Sequence, residues 1–247
     1  METWKFYDIT HREHAICNPS SLEKYQELID LLRLPPDATV LEIAMGKGEF
    51  IIRLARQYGI NGVGIDLSPY CVRDARARLA EHAPDVNVTF LEMDGADYEP
   101  DGPESHDLTV CIGASWVFHG HEGTLAALKA MTKPGGQIVV GEPYWRREPD
   151  PAYLKRAGLE RRQFGTHHAN VQTGQELGLT LLYTLASNLD EWDKYEGLQW
   201  YAAEEHGRAH PDDPDVPELL ERVHGQRHDY LRCGRDTLGW ALYLFRK

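Results

Sequence analysis

Short runs of aliphatic and β-branched residues alternate along most of the chain with stretches whose apolar positions follow helical spacing. The apolar runs predict strands at residues 39–44, 61–65, 86–92, 108–112, 137–141, 179–185 and 240–245. Several of the spacers repeat apolar residues at intervals of three and four, which predicts crossover helices. Strands that are separated by helix-length spacers form parallel sheets covered on both faces, so the pattern predicts a doubly wound α/β fold.

Two further segments are expected to be helical. Leu22, Tyr25 and Leu28 recur at helical spacing after Ser21, which can cap a helix. The last two predicted strands are separated by about fifty residues, which is too many for a structureless loop in a compact domain. We therefore expect a single domain over residues 1–247, with a helical cover at 1–36, a core at 37–145 and a helical insertion or lid at 189–236.

The charge balance is acidic and excludes some function classes. The chain has 39 Asp and Glu against 26 Lys and Arg, a net charge of −13. Residues 190–221 hold eleven acids and two bases, which would repel a phosphate backbone, so no nucleic-acid partner is expected. No apolar run approaches the ~20 residues of a membrane helix, and the amino terminus lacks the apolar segment of a secretory signal. We expect a cytoplasmic protein without a membrane partner.

A glycine-containing turn follows the first predicted strand. The side chains missing at Gly46 and Gly48 leave the backbone open to a ligand, and Asp66 at the end of the second strand can accept both hydroxyls of a ribose. Ligands of doubly wound sheets bind at this edge, so a nucleoside-containing ligand is predicted. The glycine spacing is not that of a dinucleotide fingerprint, and Glu42 and Glu49 favour a cationic ligand with an α-amino group over a pyrophosphate.

Five ordered segments resemble the motifs of class I S-adenosylmethionine-dependent methyltransferases. Residues 40–48 (VLEIAMGKG) resemble the first motif, although Ala44 occupies the position of its first glycine. Residues 62–69, 92–96, 106–113 and 128–140 resemble the motifs that follow it. Residues 113–116 and 141–145 are similar to a bacterial branch for which small-molecule substrates are expected.

The resemblance implies a seven-stranded Rossmann-like sheet whose last strand is antiparallel, and a core at 37–145 that binds the cofactor S-adenosylmethionine and its product S-adenosylhomocysteine. It assigns the methionine end of the cofactor to the first motif, the ribose to Asp66, and the remaining contacts to the later motifs. The implied cofactor-binding residues are Glu42, Ala44, Gly46, Lys47, Gly48, Asp66, Leu67, Asp94, Gly95, Ile112 and Gly113.

Methyl transfer from a sulfonium is an in-line displacement, which needs a general base only when the nucleophile arrives protonated. His119 and Glu142 follow the fourth and fifth predicted strands and are the candidate catalytic residues. The aromatic residues Trp116, Tyr144 and Trp145 are candidates for the wall of a substrate pocket.

The cysteines and histidines give no metal pattern. No CxxC or HExxH occurs, and no cysteine accompanies the close histidine pairs at 11/14, 119/121 and 224/228, so no metal is expected. The scattered cysteines also argue against an arsenite-type acceptor, which requires several converging thiolates.

The sequence leaves several alternatives open. A non-catalytic adenosyl-cofactor-binding module shares every motif, and an NAD(P)-dependent oxidoreductase is disfavoured by the glycine spacing. The attacking atom of the acceptor (N, O, S or C) and the choice between monomer and homodimer are also open.

Overall fold

A computed structural model describes residues 1–247, and one seven-stranded sheet lies at its centre. The strands are β1 (Thr39–Ile43), β2 (Asn61–Asp66), β3 (Asn87–Glu92), β4 (His106–Ile112), β5 (Thr132–Trp145), β6 (Thr180–Ala186) and β7 (Leu238–Arg246). Their spatial order is β3-β2-β1-β4-β5-β7-β6. The first five strands are parallel, and β7 is antiparallel to both β5 and β6. This architecture confirms the predicted fold class.

Ten helices accompany the sheet: α1 (Thr3–Thr10), α2 (Leu22–Leu32), α3 (Glu49–Tyr58), α4 (Pro69–His82), α5 (His121–Met131), α6 (Pro151–Ala157), α7 (His167–Glu176), α8 (Leu189–Ala209), α9 (Val216–Asp229) and α10 (Arg235–Thr237). Local chemistry explains several starts: the Ser21 and Ser68 hydroxyls cap α2 and α4, and Pro69 preorganises the first turn of α4. None of these helices combines the length and the hydropathy that crossing a bilayer demands.

Two large apolar clusters cover the sheet. Residues of α2, α3 and α4, such as Leu28, Ile51 and Val72, belong to one cluster. Leu125 and Leu128 of α5 belong to the other. Because side chains of the helices cover both faces of the sheet, ligands reach it at the ends of the strands. In this fold they bind at the carboxyl ends of β1, β2 and β4.

The amino-terminal helix packs against the long helical segment that precedes β7. Phe6 of α1 shares a buried cluster with Ala203 of α8 and Leu219 of α9. The Lys5 ammonium lies 2.9 Å from a carboxylate oxygen of Asp213 and 2.7 Å from one of Asp215. These contacts join α1, α8 and α9 into one roof above the carboxyl edge of the sheet.

Candidate active site

A cleft of about 570 Å³ lies between the roof and the carboxyl ends of the strands. One end of the cleft is formed by the turn after β1 together with Glu42 and Asp66, and we call it the donor end. The roof end of the cleft consists of residues from α1 and the position that follows it, from α8 and from β7, which are Trp4, Tyr7, His11, Trp192, Tyr195 and Trp240. Both ends belong to one continuous cavity, so two small molecules can meet in it.

The turn after β1 has a backbone that favours glycine. Ala44, Gly46 and Gly48 have φ angles of 53°, 57° and 72°, in the left-handed region. A Cβ on Gly48 would lie 3.2 Å from both Ala75 Cβ and Phe90 Cζ, so tight packing favours glycine there in addition to the backbone angle. Ala44 adopts the same region at a cost of roughly 1–2 kcal/mol, which explains why a glycine is usual at this position of the motif.

Asp66 holds the turn against β2. Its Oδ2 accepts a hydrogen bond from the Gly46 N–H at 2.8 Å, and its Oδ1 accepts one from the Ser68 N–H at 2.8 Å. Burial raises the pKa of this carboxyl, while the two backbone donors act in the opposite direction. A carboxylate oxygen can accept more than one hydrogen bond, so Asp66 retains acceptor capacity toward the cleft that it lines.

Glu42 is a buried carboxyl group at the base of the same turn. Its one hydrogen bond comes from the Ile51 N–H, which lies 3.1 Å from Oε2. Burial raises the pKa of Glu42 to about 8, and the nearby charge of Asp66 adds to the rise. A buried carboxyl with spare acceptor capacity in a cleft fits the ammonium of an amino acid, which would restore the ionised form.

Lys47 and Glu49 are both compensated by neighbours. Lys47 Nζ donates to the His11 carbonyl at 2.8 Å and lies 3.3 Å from an Asp74 oxygen, which ties the turn to the segment after α1. Glu49 pairs with Arg53 at 2.6 Å and also with Arg78. The sequence argument that Glu49 would repel a pyrophosphate therefore carries little weight, because two guanidinium groups neutralise its charge.

The residues assigned to the adenine end do not belong to the lining of the cleft. Leu67 and Asp94 are absent from the lining of the cleft, and the Leu67 side chain is 49% exposed. Asp94 accepts a hydrogen bond from the Ala96 N–H at 2.9 Å and so caps a short turn. Gly95 is buried, and a Cβ there would lie 2.5 Å from Ile43 Cγ2. The register pairs Asp66 with Glu92, so Asp94 lies two residues beyond, on the same edge of the sheet.

The end of β4 contributes Ile112 and Gly113 to the cleft. Gly113 has a φ of 85°, and a Cβ on it would lie 2.9 Å from the Trp240 ring. Trp116, on the turn that follows, lines the mouth with a side chain that is 73% exposed. The β4 turn therefore reaches both the floor and the entrance of the cleft.

Neither candidate catalytic residue lines the cleft. His119 is exposed and ends the turn at residues 115–118 with a φ of 62°. Glu142 is buried, and its Oε1 accepts a hydrogen bond from Ser115 Oγ at 3.1 Å. Burial raises the pKa of Glu142 to about 8. Glu142 thus supports the turn that carries Trp116, and it does not face the cleft.

Two of the three candidate wall residues also lie elsewhere. The Trp145 indole is 3% exposed, donates to the Arg161 carbonyl at 2.9 Å and packs edge-on against Phe164. The Tyr144 ring covers Gly239 and lies 5.0 Å from the His167 ring. Only Trp116 of this group reaches the cleft.

A hydrogen-bonded pair at the roof end was missed by the sequence analysis. The Thr10 hydroxyl donates to the Phe6 carbonyl at 2.9 Å, so it accepts from His11 Nδ1 at 3.1 Å. This leaves His11 Nε2 as the acceptor for the Tyr195 hydroxyl, 3.1 Å away. Burial, His14 and Lys47 lower the pKa of His11 to about 3, so the ring is neutral. No group of three or more metal-ligating side chains forms around it or elsewhere in the chain.

Comparisons with known proteins agree with this geometry. Residues 40–136 match a family model described as a methyltransferase domain. The chain is 30% identical to a SAM-dependent methyltransferase from Geobacter sulfurreducens solved with S-adenosyl-L-homocysteine, with a TM-score of 0.91 over 98% of this chain and 97% of that one. A second such complex, from Thiobacillus denitrificans, gives 31% identity and a TM-score of 0.90 over 99% of both chains. The uncharacterised protein YjhP of Escherichia coli K12 is 31% identical over 98% of both chains.

Proposed function

Because the chain belongs to the class I S-adenosylmethionine-dependent methyltransferases, we propose that it methylates a small, uncharged organic acceptor with an aromatic or similarly flat apolar body. The enzyme class follows from membership of this family. The motifs are therefore those of a methyltransferase, and we no longer consider the oxidoreductase or the non-catalytic module. The nature of the acceptor is the part that we propose. It rests on one observation, which is the pairing of the charged groups around the cleft.

The donor end fits the cofactor. When bound there, S-adenosylmethionine supplies a methyl group on a sulfonium, ready for displacement. Glu42 would accept hydrogen bonds from the amino-acid ammonium, and Asp66 would accept them from ribose hydroxyls. The bare backbone at Gly46 leaves room between them. Leu67, Asp94 and Gly95 remain proposed contacts for the adenine.

Each of the other acids of the cleft is paired with an arginine. Asp8 lies 2.9 Å from Arg73, and Asp74 lies 2.7 Å from the same guanidinium. Glu49 has its two arginine partners, and Lys47 has Asp74. The unpaired acids are therefore Glu42 and Asp66, both at the donor end, which the cationic cofactor would occupy.

The roof end presents rings and neutral polar groups. Trp4, Trp192 and Trp240 provide flat apolar surfaces, and His11 is neutral. A charged acceptor would lose its hydration there without gaining a counter-ion, which costs several kcal/mol. A neutral aromatic acceptor buries apolar area instead, and aromatic pairs add about 0.5–1.5 kcal/mol.

The neutral pair of Tyr195 and His11 would orient the acceptor. Because the Tyr195 hydroxyl donates its proton to His11 Nε2, its free lone pairs can accept a hydrogen bond from a hydroxyl or amine of the acceptor. A histidine with a pKa of about 3 is a poor base at neutral pH. We therefore assign catalysis to alignment of the acceptor with the methyl group, and water at the open mouth of the cleft would take up the proton of the acceptor.

A substrate panel tests this proposal directly. Release of S-adenosylhomocysteine would be measured with neutral phenols and heteroaromatics, with primary and tertiary amines, and with di- and tricarboxylates and phosphoamines. We expect the highest kcat/KM among the neutral aromatic compounds. A preference for a carboxylate, phosphate or ammonium acceptor would overturn the acceptor class and leave the enzyme class untouched.

A further inference from the structure

A second cavity, of about 520 Å³, lies at the opposite edge of the sheet from the cleft. It is bounded by residues 31–35 at the end of α2, by residues 133–137 of β5, and by parts of β6 and β7. The strands β4 and β5 begin at this edge, whereas the cleft lies at their carboxyl ends. The two cavities share no residue, so the second one is separate from the donor and roof ends described above.

Aliphatic side chains form the apolar part of this cavity. They are Leu31, Leu32, Leu34, Leu182 and Leu244. Leu31 and Leu182 are exposed, so the cavity presents apolar surface that a ligand would cover. The volume falls within the range of roughly 300–1,000 Å³ that is usual for small-molecule pockets. The lining therefore fits a small molecule with an aliphatic body, in contrast to the ring-lined roof end of the cleft.

Gln137 supplies a buried polar group to the same cavity. It lies on β5 opposite Arg246 of β7, and its side chain is 7% exposed. Its amide forms no hydrogen bond within the protein, yet neither amide atom is sealed off from small molecules. A buried polar group without a partner is costly, so native proteins nearly always provide one. The Gln137 amide is thus placed to bond with a molecule inside the cavity.

The charges around the cavity are mainly positive. Its single acid, Asp107, lies 2.8 Å from the Lys133 ammonium and accepts a hydrogen bond from the Thr39 N–H at 2.8 Å. The guanidinium groups of Arg33 and Arg246 therefore have no acid to pair with in the cavity, and neither forms an ion pair elsewhere. In a chain with a net charge of −13, this local excess of cations favours an anionic ligand.

The backbone at Arg33 is strained. This residue ends α2 with a φ of 48°, in the left-handed region where helices usually place a glycine. An arginine at that position carries a conformational cost, and residues strained in this way are frequent at ligand sites. The strain agrees with a ligand-binding role for the Arg33 side chain.

We propose that this cavity binds a small aliphatic carboxylate, whose head lies among Arg33, Arg246 and Gln137 and whose chain covers the leucines. Guanidinium groups donate paired N–H bonds that match the two oxygens of a carboxylate, and the glutamine amide adds a neutral donor. Tyr183 also lines the cavity, but its hydroxyl already donates to Glu27 at 2.7 Å. The site is distinct from the place of methyl transfer, so the inference is independent of the proposed acceptor.

Calorimetry with octanoate and its neutral isostere octanamide tests this proposal. We expect one octanoate to bind per chain. Octanamide should bind at least tenfold more weakly, equivalent to ~1.4 kcal/mol, because it lacks the charge that the two arginines recognise. Octanoate should still bind when S-adenosylhomocysteine saturates the cleft, because the two cavities share no residue.

Single substitutions locate the site. Arg33→Gln and Arg246→Gln should each weaken octanoate binding about tenfold and leave octanamide binding unchanged. Both arginines are exposed, so these variants should keep the stability of the wild type. Gln137→Leu should also weaken octanoate binding, through loss of the amide donor. Arg56→Gln is the matched control, because it removes an exposed arginine of α3 that lines neither cavity, and it should bind octanoate as the wild type does.

Three results would overturn the proposal. The first is equal affinity for octanoate and octanamide, or an equal loss of octanoate affinity in Arg33→Gln and Arg56→Gln. The second is displacement of octanoate by S-adenosylhomocysteine, which would place the carboxylate in the cleft. The third is sedimentation of the protein with phosphatidylglycerol vesicles without binding of free octanoate, which would show that the arginines and leucines contact a lipid surface rather than a single molecule.

Discussion

Replacing Glu42 with glutamine should abolish a pH dependence of cofactor binding that the wild-type protein shows between about pH 6 and 8.5. The pKa of Glu42 is raised to about 8 by burial, so at pH 7 only about one molecule in eleven carries the ionised carboxylate. The α-ammonium of the cofactor selects the ionised form. Binding should therefore tighten as the pH rises toward 8, and it should weaken again at higher pH where the ligand's own α-ammonium loses its proton.

The magnitude follows from that fraction. At pH 7 the wild type should bind S-adenosylhomocysteine about tenfold, or ~1.4 kcal/mol, more weakly than it would with Glu42 fully ionised. Binding at pH 7 should also release about 0.9 proton, which calorimetry detects as a dependence of the enthalpy on the buffer. In Glu42→Gln both effects should vanish, and the affinity should match the low-pH wild type at every pH.

A second buried glutamate provides a matched control. Glu142 also has a pKa of about 8 for the same physical reason, but it lies outside the cleft. Glu142→Gln should therefore retain both the pH slope and the proton release. If Glu42→Gln kept the slope, or if Glu142→Gln lost it, the assignment of the ammonium contact to Glu42 would be refuted.

Three further outcomes are expected. Asp66→Ala should weaken S-adenosylhomocysteine binding by about 1.5–3 kcal/mol through loss of charge-assisted hydrogen bonds, and unchanged calorimetric affinity would contradict the ribose contact. Tyr195→Phe removes the hydroxyl next to His11, so kcat/KM for the best acceptor should fall about tenfold while the cofactor affinity stays unchanged. An equal loss of cofactor affinity would instead place Tyr195 at the donor end. Trp145→Ala should cost about 3–5 kcal/mol of unfolding free energy in denaturant titrations, whereas Trp116→Ala should cost less than about 0.5 kcal/mol, and similar losses would contradict their placement.

The donor end could be predicted because its parts are close in the sequence. Gly46 and Gly48 follow β1 directly, and Asp66 ends the next strand, so two adjacent parallel strands bring them together. Each requirement of the turn, a left-handed backbone or the absence of a Cβ, leaves a visible residue type at a fixed position. Sequence spacing therefore reflects the geometry of this half of the cleft.

The misplaced aromatic residues show what spacing alone does not contain. Tyr144 and Trp145 were placed beyond the fifth predicted strand, which would end at residue 141. In the structure β5 continues because β7 pairs with it as far as Trp145 and Leu238. The two rings therefore lie within the sheet and its flanking contacts, and only Trp116, on a true turn, reaches the cleft.

The roof end depends on contacts between distant parts of the chain. The hydrogen bond between His11 and Tyr195 spans 184 positions, and neither residue belongs to a recognisable motif. Their meeting requires α1 to dock on α8, which depends on apolar and ionic contacts such as those of Phe6 and Lys5. A sequence pattern records periodicity within a helix, but it does not record which helix lies opposite. The donor site is encoded in consecutive strands and turns, so the family and its cofactor were evident from the sequence. The acceptor site is formed by helices that meet only after folding, so the acceptor has to be argued from the folded cleft.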